Sequence, residues 1–483
     1  MPQNPTVTYV LRRTDSALGR GLEQLVTSHH RRRLKRIGWL PALDAPPGGW
    51  AEGDPSPRPG NKLEVIVDGA EALPRIADEI ERARSQVWIA GWHFEPDFRL
   101  RGEGPTLRDL LAEAAERVEV RVLAWAGAPL PLFHPDRGEV RDMRRKLTAG
   151  TRIRCALDAR ERPMHCHHEK LVLVDGETAF VGGIDLTTLA GDRFDSTGHP
   201  QRPKLGWHDA TTRLRGPALA DVADHFRLRW HEVTGESLPA GDPPGHVGDL
   251  EVQVVRTVPE KIYDALPRGD FRILESYLRA LRSAERLVYL ENQFLWSPEI
   301  VDVLADKLRD PPTDEFRLLV ILPANPKSGA EDTRGQIAVL VSADSGQGRF
   351  LACTLHQRGA GGKPVYIHAK IGIVDDRWLT LGSANLNEHS LFNDTEMNIV
   401  LQDPALARET RLRLWAEHLE CDASELEGEP AQIVDTRFRP RAEEQLERRR
   451  RGEPLTHTLV NLPEASRRSA RLLGPLSGFL VDG

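Results

Sequence analysis

Two segments of the chain each occur twice, at a spacing of about 200 residues. VWIAGWHF at 87–94 is echoed by LVYLENQF at 287–294, and HEKLVLVD at 168–175 by HAKIGIVD at 368–375. One duplication accounts for both pairs better than two coincidences do. A repeat of this length predicts two structurally similar units, which strongly limits the folds that the chain can adopt.

Hydrophobic periodicity predicts the same order of helices and strands in both units. The first unit is predicted to contain helices at 70–85, 106–117 and 139–149, alternating with strands at 86–91, 118–125 and 151–157. The second is predicted to contain helices at 271–284, 298–309 and 332–343, alternating with strands at 286–292, 316–322 and 349–356. This alternation predicts an α/β fold in which each half is a mostly parallel or mixed sheet flanked by helices.

Stretches rich in proline and glycine, at 41–60 and 239–248, suggest the domain boundaries. They predict an N-terminal extension and linker at 1–60, a first half at 61–238, a second half at 249–430 and a charged C-terminal tail at 431–483. Two basic runs, HHRRRLKR at 29–36 and RRRR at 448–451, are predicted to be solvated surface. Contact with an anionic lipid surface is the alternative.

Charge and hydropathy narrow the classes of function. The chain has 65 basic and 72 acidic residues and a net charge of −7, which argues against a general nucleic-acid binder. It has no long apolar run and no apparent signal peptide, so we expect a cytoplasmic protein with, at most, peripheral membrane contact. The four cysteines form no CxxC pair and are expected to be reduced thiols.

The repeated HxKxxxxD pattern places like side chains on one face of each strand. Residues two apart in a strand share a face, so His168 points with Lys170, and His368 points with Lys370. The aspartates Asp175 and Asp375 lie at an odd offset from the lysines and at turn positions. We therefore interpret the two aspartates as structural rather than catalytic.

Two histidines and two lysines that converge on one place suit phosphodiester chemistry. Imidazole can attack phosphorus or carry a proton near neutral pH, and lysine ammonium groups can hold the nonbridging phosphate oxygens. This set requires no cofactor and no metal ion. The adjacent run HCHH at 165–168 is a poor zinc candidate because strand alternation sends its side chains to opposite faces.

With this doubled motif the chain resembles the phospholipase D superfamily over roughly residues 61–420. Local strings are most similar to those of eukaryotic-type, phosphatidylcholine-hydrolysing members: HHEK at 167–170, GGIDL at 182–186, WHD at 207–209, ENQF at 291–294 and GSAN at 382–385. The resemblance implies two α/β halves about a pseudo-two-fold axis, with one active site shared between them.

The resemblance also implies roles for individual residues. His168 would be the nucleophile that forms a phosphohistidine, and His368 the general acid and then the base. Positions matching phosphate or substrate contacts are Lys170, Lys370, Asn385, Asp185, Ser383 and Gln293. A carboxylate is expected about 28 residues after each histidine, which selects Glu396 for His368 and Asp195 for His168.

The function implied is a phospholipase D that hydrolyses the headgroup phosphodiester of a glycerophospholipid, phosphatidylcholine above all, to phosphatidic acid. With an alcohol present it could transfer the phosphatidyl group instead. The alternatives are a cardiolipin-synthase-like phosphatidyltransferase, a nuclease of the same superfamily, and a non-catalytic lipid- or phosphate-binding module. We expect a monomer whose partner is phospholipid at a membrane surface, with no nucleic acid.

Overall fold

The computed structural model describes residues 23–102, 104–130, 133–163, 165–187, 207–325 and 330–462. Most described strands belong to one 16-stranded mixed sheet that runs through both halves of the chain. The strands of the first half are β1 (Arg58–Val67), β2 (Gln86–Gly91), β3 (Glu119–Trp125), β4 (Arg154–Asp158), β5 (Leu171–Val174), β6 (Thr178–Gly182), β7 (Trp207–His208) and β8 (Ala210–Arg215). Those that follow are β9 (Leu250–Val258), β10 (Asp270–Phe271), β11 (Leu287–Asn292), β12 (Arg317–Ile321), β13 (Phe350–Leu355), β14 (Tyr366–Ile367), β15 (Lys370–Val374), β16 (Trp378–Gly382), β17 (Glu396–Gln402) and β18 (Leu459–Asn461).

The strand order is the same in the two halves and reverses at their junction. From the outside inward it is β4-β3-β2-β5-β6-β8-β1 in the first half and β13-β12-β11-β15-β16-β17-β9 in the second. The two sequences meet where β1 pairs antiparallel with β9. The predicted pair of similar α/β halves is confirmed, and the halves share one continuous sheet rather than forming two separate sheets.

Each half combines a parallel outer sheet with antiparallel inner strands. β2, β3 and β4 are parallel, as are β11, β12 and β13. The motif strands β5 and β15 run antiparallel to β2 and β11 and turn back at once into β6 and β16. The turns contain Asp175 and Asp375, both at positive φ (57° and 53°), as tight hairpins require.

Helices cover both faces of the sheet. They lie at 23–37, Leu40–Leu43, Gly69–Glu81, Leu107–Ala115, Arg137–Thr148, Leu219–Thr234, Arg272–Ser283, Pro298–Arg309, Ala330–Asp344, Pro404–Leu419, Pro430–Ile433 and Arg439–Arg450, with π-helical turns at His389–Asn393 and Val434–Phe438 and a 3-10 turn at Ala423–Leu426. One cluster of buried apolar side chains extends from Leu214 and Phe226 in the first half to Ile371 and Trp415 in the second. The halves therefore share a hydrophobic core, which fixes their relative position.

The two ends of the described chain are packed more closely against the rest of the fold than their composition predicts. Within the basic run at 29–36, five residues are exposed, as predicted, but His30, Arg33 and Leu34 are buried, and Arg33 pairs with Glu260 at 2.6 Å. Beyond residue 430, β18 pairs with β13 and adds a strand to the sheet edge. Apolar residues such as Leu459 bury this segment, so at least residues 430–462 are folded rather than a charged tail.

No helix among the described residues is both long and apolar enough to cross a bilayer.

Candidate active site

The two motif histidines are held by backbone bonds that cross between the halves. The amides of His168 and Glu169 both donate to the carbonyl of Thr395, at 2.9 and 3.1 Å. The amides of His368 and Ala369 donate in the same way to the carbonyl of His208, at 2.8 and 3.0 Å. Each histidine therefore enters the site attached to the opposite half, and the two arrangements are related by the pseudo-two-fold.

The carboxylates that orient the histidines are exchanged between the halves. Nδ1 of His168 lies 3.0 Å from Oε1 of Glu396, and Nδ1 of His368 lies 2.6 Å from Oδ2 of Asp209. The expected pairing of Glu396 with His368, based on a spacing of 28 residues, is therefore wrong. A carboxylate bonded at Nδ1 fixes the ring and favours the tautomer with its lone pair on Nε2.

Strand register explains why the spacing of 28 residues predicted the wrong carboxylate for each histidine. β6 pairs with β8 so that Gly182 faces Thr211, and β16 pairs with β17 so that Gly382 faces Asn398. Asp209 lies two residues before Thr211, and Glu396 lies two residues before Asn398. The two carboxylates therefore occupy equivalent positions in the two halves. The first half has a longer connection between its motif and this position, and the spacing rule selected Asp195 instead. Asp195 lies outside the described residues.

The serine at 383 supports the carboxylate of Glu396. The hydroxyls of Ser383 and Ser390 donate to the two oxygens of Glu396. Ser383 is fully buried, and its contact with substrate stays a prediction. In the first half its place is taken by Gly183, where a Cβ atom would come within 2.2 Å of Oδ1 of Asp209.

The motif lysines lie directly behind the histidines. Nζ of Lys170 lies 3.3 Å from Oδ2 of Asp185, and Nζ of Lys370 lies 3.3 Å from Oε1 of Gln293. The side-chain amide of Asn385 also donates to Gln293, at 3.4 Å. The equivalent positions Asp185 and Asn385 thus give the site a carboxylate beside one lysine and an amide near the other.

The motif aspartates point away from the site. The carboxylate of Asp175 accepts bonds from the amides of Arg84, Ser85 and Gln86. Asp375 accepts bonds from the amides of residues 285, 286 and 287. Both side chains join the motif hairpin to the start of the neighbouring strand, which is what a structural role requires.

A cleft of about 430 Å³ opens over the two histidines. It is lined by Trp92, His93, Glu95, His134, Pro135, Glu139, His168, Asp185, Thr187, Trp207, Gln293, Tyr366 and His368. The ring of Trp207 stacks on His368 at 4.1 Å between centroids, and Trp92 meets His168 edge-on at 6.4 Å. The cleft therefore combines two oriented imidazoles with aromatic walls and acidic groups.

Burial shifts the protonation of the groups around the cleft. It raises the pKa of Glu396 to about 8, although Lys170 and the two serine hydroxyls act in the opposite direction. Burial also raises the pKa of Asp209. Burial, together with the charge of Lys170, lowers the pKa of Lys370 to about 8. The influence of Lys170 on Lys370 shows that the two lysines share one electrostatic environment.

Asp209, Ser390 and Trp207 were assigned no role from the sequence. The repeat contains a signal for Asp209. Asp209 directly precedes β8, which pairs with β6, and Glu396 begins β17, which pairs with β16 in the same way. That signal becomes visible only when the strand pairing is known. Ser390 and Trp207 carry no pattern of their own.

A comparison with known protein families shows which superfamily the chain belongs to. The model of the family described as "Cardiolipin synthase, PLD-like domain" matches residues 76–193 and 277–416, more than half of the chain. The chain belongs to the phospholipase D superfamily. The two matched segments contain both HxKxxxxD motifs, in agreement with the expected family.

Curated relatives in this superfamily carry two kinds of name. Phospholipase D A of Dictyostelium discoideum is 24% identical over an alignment that covers 74% of this chain and 35% of the relative. Phospholipase D2 of Bos taurus is 25% identical, with 72% and 50% covered. The major cardiolipin synthase ClsA of Bacillus subtilis is 26% identical, with 72% and 67% covered. The chain thus spans half or less of the length of the two phospholipases D.

A solved structure supports the fold. The crystal structure of phosphatidylserine synthase from Haemophilus influenzae Rd KW20 superposes with a TM-score of 0.53. The superposition covers 84% of this chain and 97% of that one, at 14% identity. Nearly all of that protein is therefore matched by the two-half architecture described here.

Proposed function

We propose that this protein is a phospholipase D that cleaves the headgroup phosphodiester of a glycerophospholipid and releases phosphatidic acid. The observation that carries the proposal is the pair of histidines in one cleft, each held at Nδ1 by a carboxylate of the other half. Such a pair supplies one nucleophile and one proton carrier on the same substrate.

In the first step, Nε2 of His168 attacks phosphorus. A P–N bond forms, the P–O bond to the headgroup breaks, and the imidazolium of His368 gives its proton to the departing oxygen. In the second step, neutral His368 takes a proton from water, the hydroxide attacks phosphorus and the P–N bond breaks. Phosphatidic acid leaves, His168 is neutral again and His368 has regained its proton.

The carboxylate contacts bear on the assignment of the two histidine roles. Glu396 bonds His168 and Asp209 bonds His368, so each histidine has a carboxylate partner from the other half. Two serine hydroxyls donate to Glu396 and favour its ionised form, but burial outweighs them and raises the pKa of Glu396 to about 8. Burial raises the pKa of Asp209 as well, so the protonation of the carboxylates does not distinguish the two histidines. We assign the attack to His168 and the proton transfers to His368 from the resemblance of the chain to the superfamily.

The lysines supply the charge that the transition state requires. Lys170 and Lys370 are buried beside the histidines, and both carry an ammonium group that can bind a nonbridging phosphate oxygen. Their mutual repulsion in a low-dielectric site is relieved when an anionic phosphate binds between them. The two ammonium groups accelerate the reaction to the extent that they bind the phosphorane-like transition state more tightly than the substrate phosphate.

The walls of the cleft favour a cationic headgroup. Trp92, Trp207 and Tyr366 present aromatic rings to the cleft, and Glu95 adds a carboxylate. Aromatic faces attract quaternary ammonium groups, and an acidic group nearby adds to that attraction. Phosphatidylcholine is therefore the substrate that we favour within the class.

A second candidate is a cardiolipin-synthase-like phosphatidyltransferase. It is favoured by the matching family description and by the 26% identity to ClsA, of which the alignment covers 67%. The same phosphohistidine would then be attacked by an alcohol rather than by water. The two candidates differ only in the acceptor that reaches the second step.

A headgroup-release assay separates these candidates. The purified protein is incubated with phosphatidylcholine, phosphatidylethanolamine and phosphatidylglycerol, each with and without a primary alcohol, beside His168→Ala and His368→Ala as controls. We expect choline release by the wild type, and phosphatidyl-alcohol in place of phosphatidic acid when alcohol is present. Cardiolipin formed from phosphatidylglycerol without choline release would favour the transferase. Plasmid or single-stranded DNA cleaved faster than any lipid would overturn both proposals.

A further inference from the structure

Three potential metal ligands meet beside the site, where the first half contacts the second. Nδ1 of His165 lies 3.0 Å from Nδ1 of His389 and 3.4 Å from Oδ1 of Asp394. Nδ1 of His389 lies 4.0 Å from Oδ2 of Asp394. His165 comes from the HCHH run of the first half, and the other two from the π-helical turn of the second half and the residue after it.

Two of these separations are those of ligands around one small metal ion. Two ligands at about 2.0–2.1 Å from a tetrahedral zinc ion stand roughly 3.3 Å apart. The distances from Nδ1 of His165, 3.0 Å to His389 and 3.4 Å to Oδ1 of Asp394, lie near that value. The 4.0 Å from Nδ1 of His389 to the other carboxylate oxygen, Oδ2, is longer, so Asp394 would have to move slightly to complete the coordination. Two imidazole nitrogens and one carboxylate are also the donors that zinc and its first-row neighbours prefer.

Two buried polar atoms in the same cluster have no hydrogen-bond partner among the described residues. They are Oδ2 of Asp394 and Nε2 of His389, and both side chains are only 1% exposed. A buried carboxylate oxygen without a donor costs free energy unless a cation neutralises it. An ion between the three residues would satisfy Asp394, and it would replace the contact of two like imidazole nitrogens by two metal bonds.

The ligand-bearing turn is held in place independently of any ion. Arg33 donates to the carbonyl of Phe392 and to the side chain of Asn393, both at 2.8 Å, and the amide of Asp394 donates to the carbonyl of His389. Glu260 pairs with Arg33 at 2.6 Å and with Arg162 at 3.3 Å, so one carboxylate offsets part of the charge of these two guanidinium groups. Preorganised ligands on a fixed turn are what a metal site requires.

The site also has a route for an ion to enter. The side chain of His165 is 12% exposed, whereas those of His389 and Asp394 are almost fully buried. An ion can bind first at the surface-facing imidazole and then complete its coordination within. Three protein ligands leave a fourth position for water, or for a group of the substrate surface.

We propose that His165, His389 and Asp394 bind one transition-metal ion of the zinc type, which links the two halves beside the active site. His165 precedes the motif histidine His168 by three residues, and Asp394 precedes Glu396 by two. The ion would thus fasten the two segments that carry this histidine and its carboxylate. Its role is to stabilise the junction, since no step of the proposed reaction uses it.

The metal content of the intact protein tests this proposal. The protein is stripped with a chelator, incubated with zinc, passed through a desalting column and analysed by elemental mass spectrometry. We expect about one zinc per wild-type chain and a loss of affinity of at least about tenfold in His165→Gln. His165→Gln is chosen because His165 is the most exposed of the ligands and its replacement is the least disruptive to folding.

A matched control and a second readout guard against non-specific binding and misfolding. His134→Gln alters the exposed group of His134, Asp136 and Glu139, which offers similar donor types, and should leave zinc binding unchanged. Zinc should raise the melting temperature of the wild type and of His134→Gln but not that of His165→Gln. Wild-type protein that retains no zinc, or His165→Gln that binds as tightly as the wild type, would overturn the proposal. Equal loss in His134→Gln would overturn it as well.

Discussion

Glu396 and His168 are 228 positions apart in the chain, yet their side chains bond at 3.0 Å. Asp209 and His368, 159 positions apart, bond at 2.6 Å. These two long-range pairs mean that neither motif histidine is bonded to a carboxylate of its own half. At the scale of single residues, the chemistry of the site therefore depends on the docking of one half against the other.

Gly183 is the residue whose replacement tests the Asp209–His368 pair most cleanly. A methyl group at this position would lie within 2.2 Å of Oδ1 of Asp209 and force the carboxylate away from His368. Because misplacement by about 1 Å costs roughly 100-fold in rate, Gly183→Ala should lower turnover by about that factor. Gly245→Ala is the control, since a Cβ atom added there would meet no other atom within 4 Å. A folded Gly183→Ala protein with turnover within about twofold of wild type would contradict the role given to Asp209.

The raised pKa of Glu396 and the lowered pKa of Lys370, each about 8, predict a bell-shaped pH dependence of kcat/KM centred near pH 8. As the pH falls below 8, the Glu396–His168 pair takes up a second proton and the nucleophilic lone pair is lost. As the pH rises above 8, Lys370 loses its charge. Lys370→Arg keeps a charge at all these pH values, so its alkaline limb should move to the higher pH at which His368 loses the proton that the general acid needs, while the acid limb stays. An alkaline limb that is unchanged in Lys370→Arg would show that another group titrates there.

At the scale of secondary-structure elements, the π-helical turn His389–Asn393 joins several parts of the site. It carries Ser390, which donates to Glu396 at 2.6 Å, and it is held from outside by Arg33 of the helix at 23–37. The N-terminal extension is thus a support for the active site rather than a separate appendage. π-helical turns of this kind occur frequently at functional sites.

The ion pair of Arg33 and Glu260 provides the test of this support. Both side chains are buried, so Arg33→Met leaves a carboxylate with reduced compensation and should lower the free energy of unfolding by about 3–5 kcal/mol. Arg32→Met, at the exposed neighbouring position, should change it by less than about 0.5 kcal/mol. Urea unfolding followed by circular dichroism measures both. Equal midpoints for Arg33→Met and wild type would place the helix outside the folded core.

The helices and strands also show which parts of the fold and of the site could be predicted from the sequence. Periodicity within a window of about ten residues located the predicted helices and strands of both halves, for example Arg272–Ser283 and Leu287–Asn292. The motif histidines and lysines followed from strand parity and the repeat. The carboxylate partners did not, because which half supplies them is decided by the pairing of β1 with β9 and by connections of unequal length. Burial of Arg33 likewise depends on Glu260, 227 positions away.

At the scale of the whole molecule, the continuous sheet and the shared core hold the two halves in one fixed relation. The pseudo-two-fold brings like groups together, and the two halves differ in the side chains around their histidines. Two serine hydroxyls donate to Glu396, whereas the equivalent carboxylate Asp209 lies against Gly183. At another pair of equivalent positions the second half has Asn385 and the first half has Asp185. A duplicated fold with these substitutions can separate the nucleophile from the proton carrier without a further domain.

In the proposed mechanism His168 and His368 perform different steps of one reaction, and a burst of product in the first turnover distinguishes these steps. A short-chain phosphatidyl-p-nitrophenol is the substrate, because p-nitrophenolate leaves without needing a proton. In His368→Ala, His168 should still attack, while water is no longer activated. We predict a burst of about one p-nitrophenolate per enzyme, with the phosphatidyl group found by mass spectrometry on the peptide that contains His168. His168→Ala should give no burst. A burst in His168→Ala with the label on the His368 peptide, or steady turnover without a burst in His368→Ala, would contradict this account.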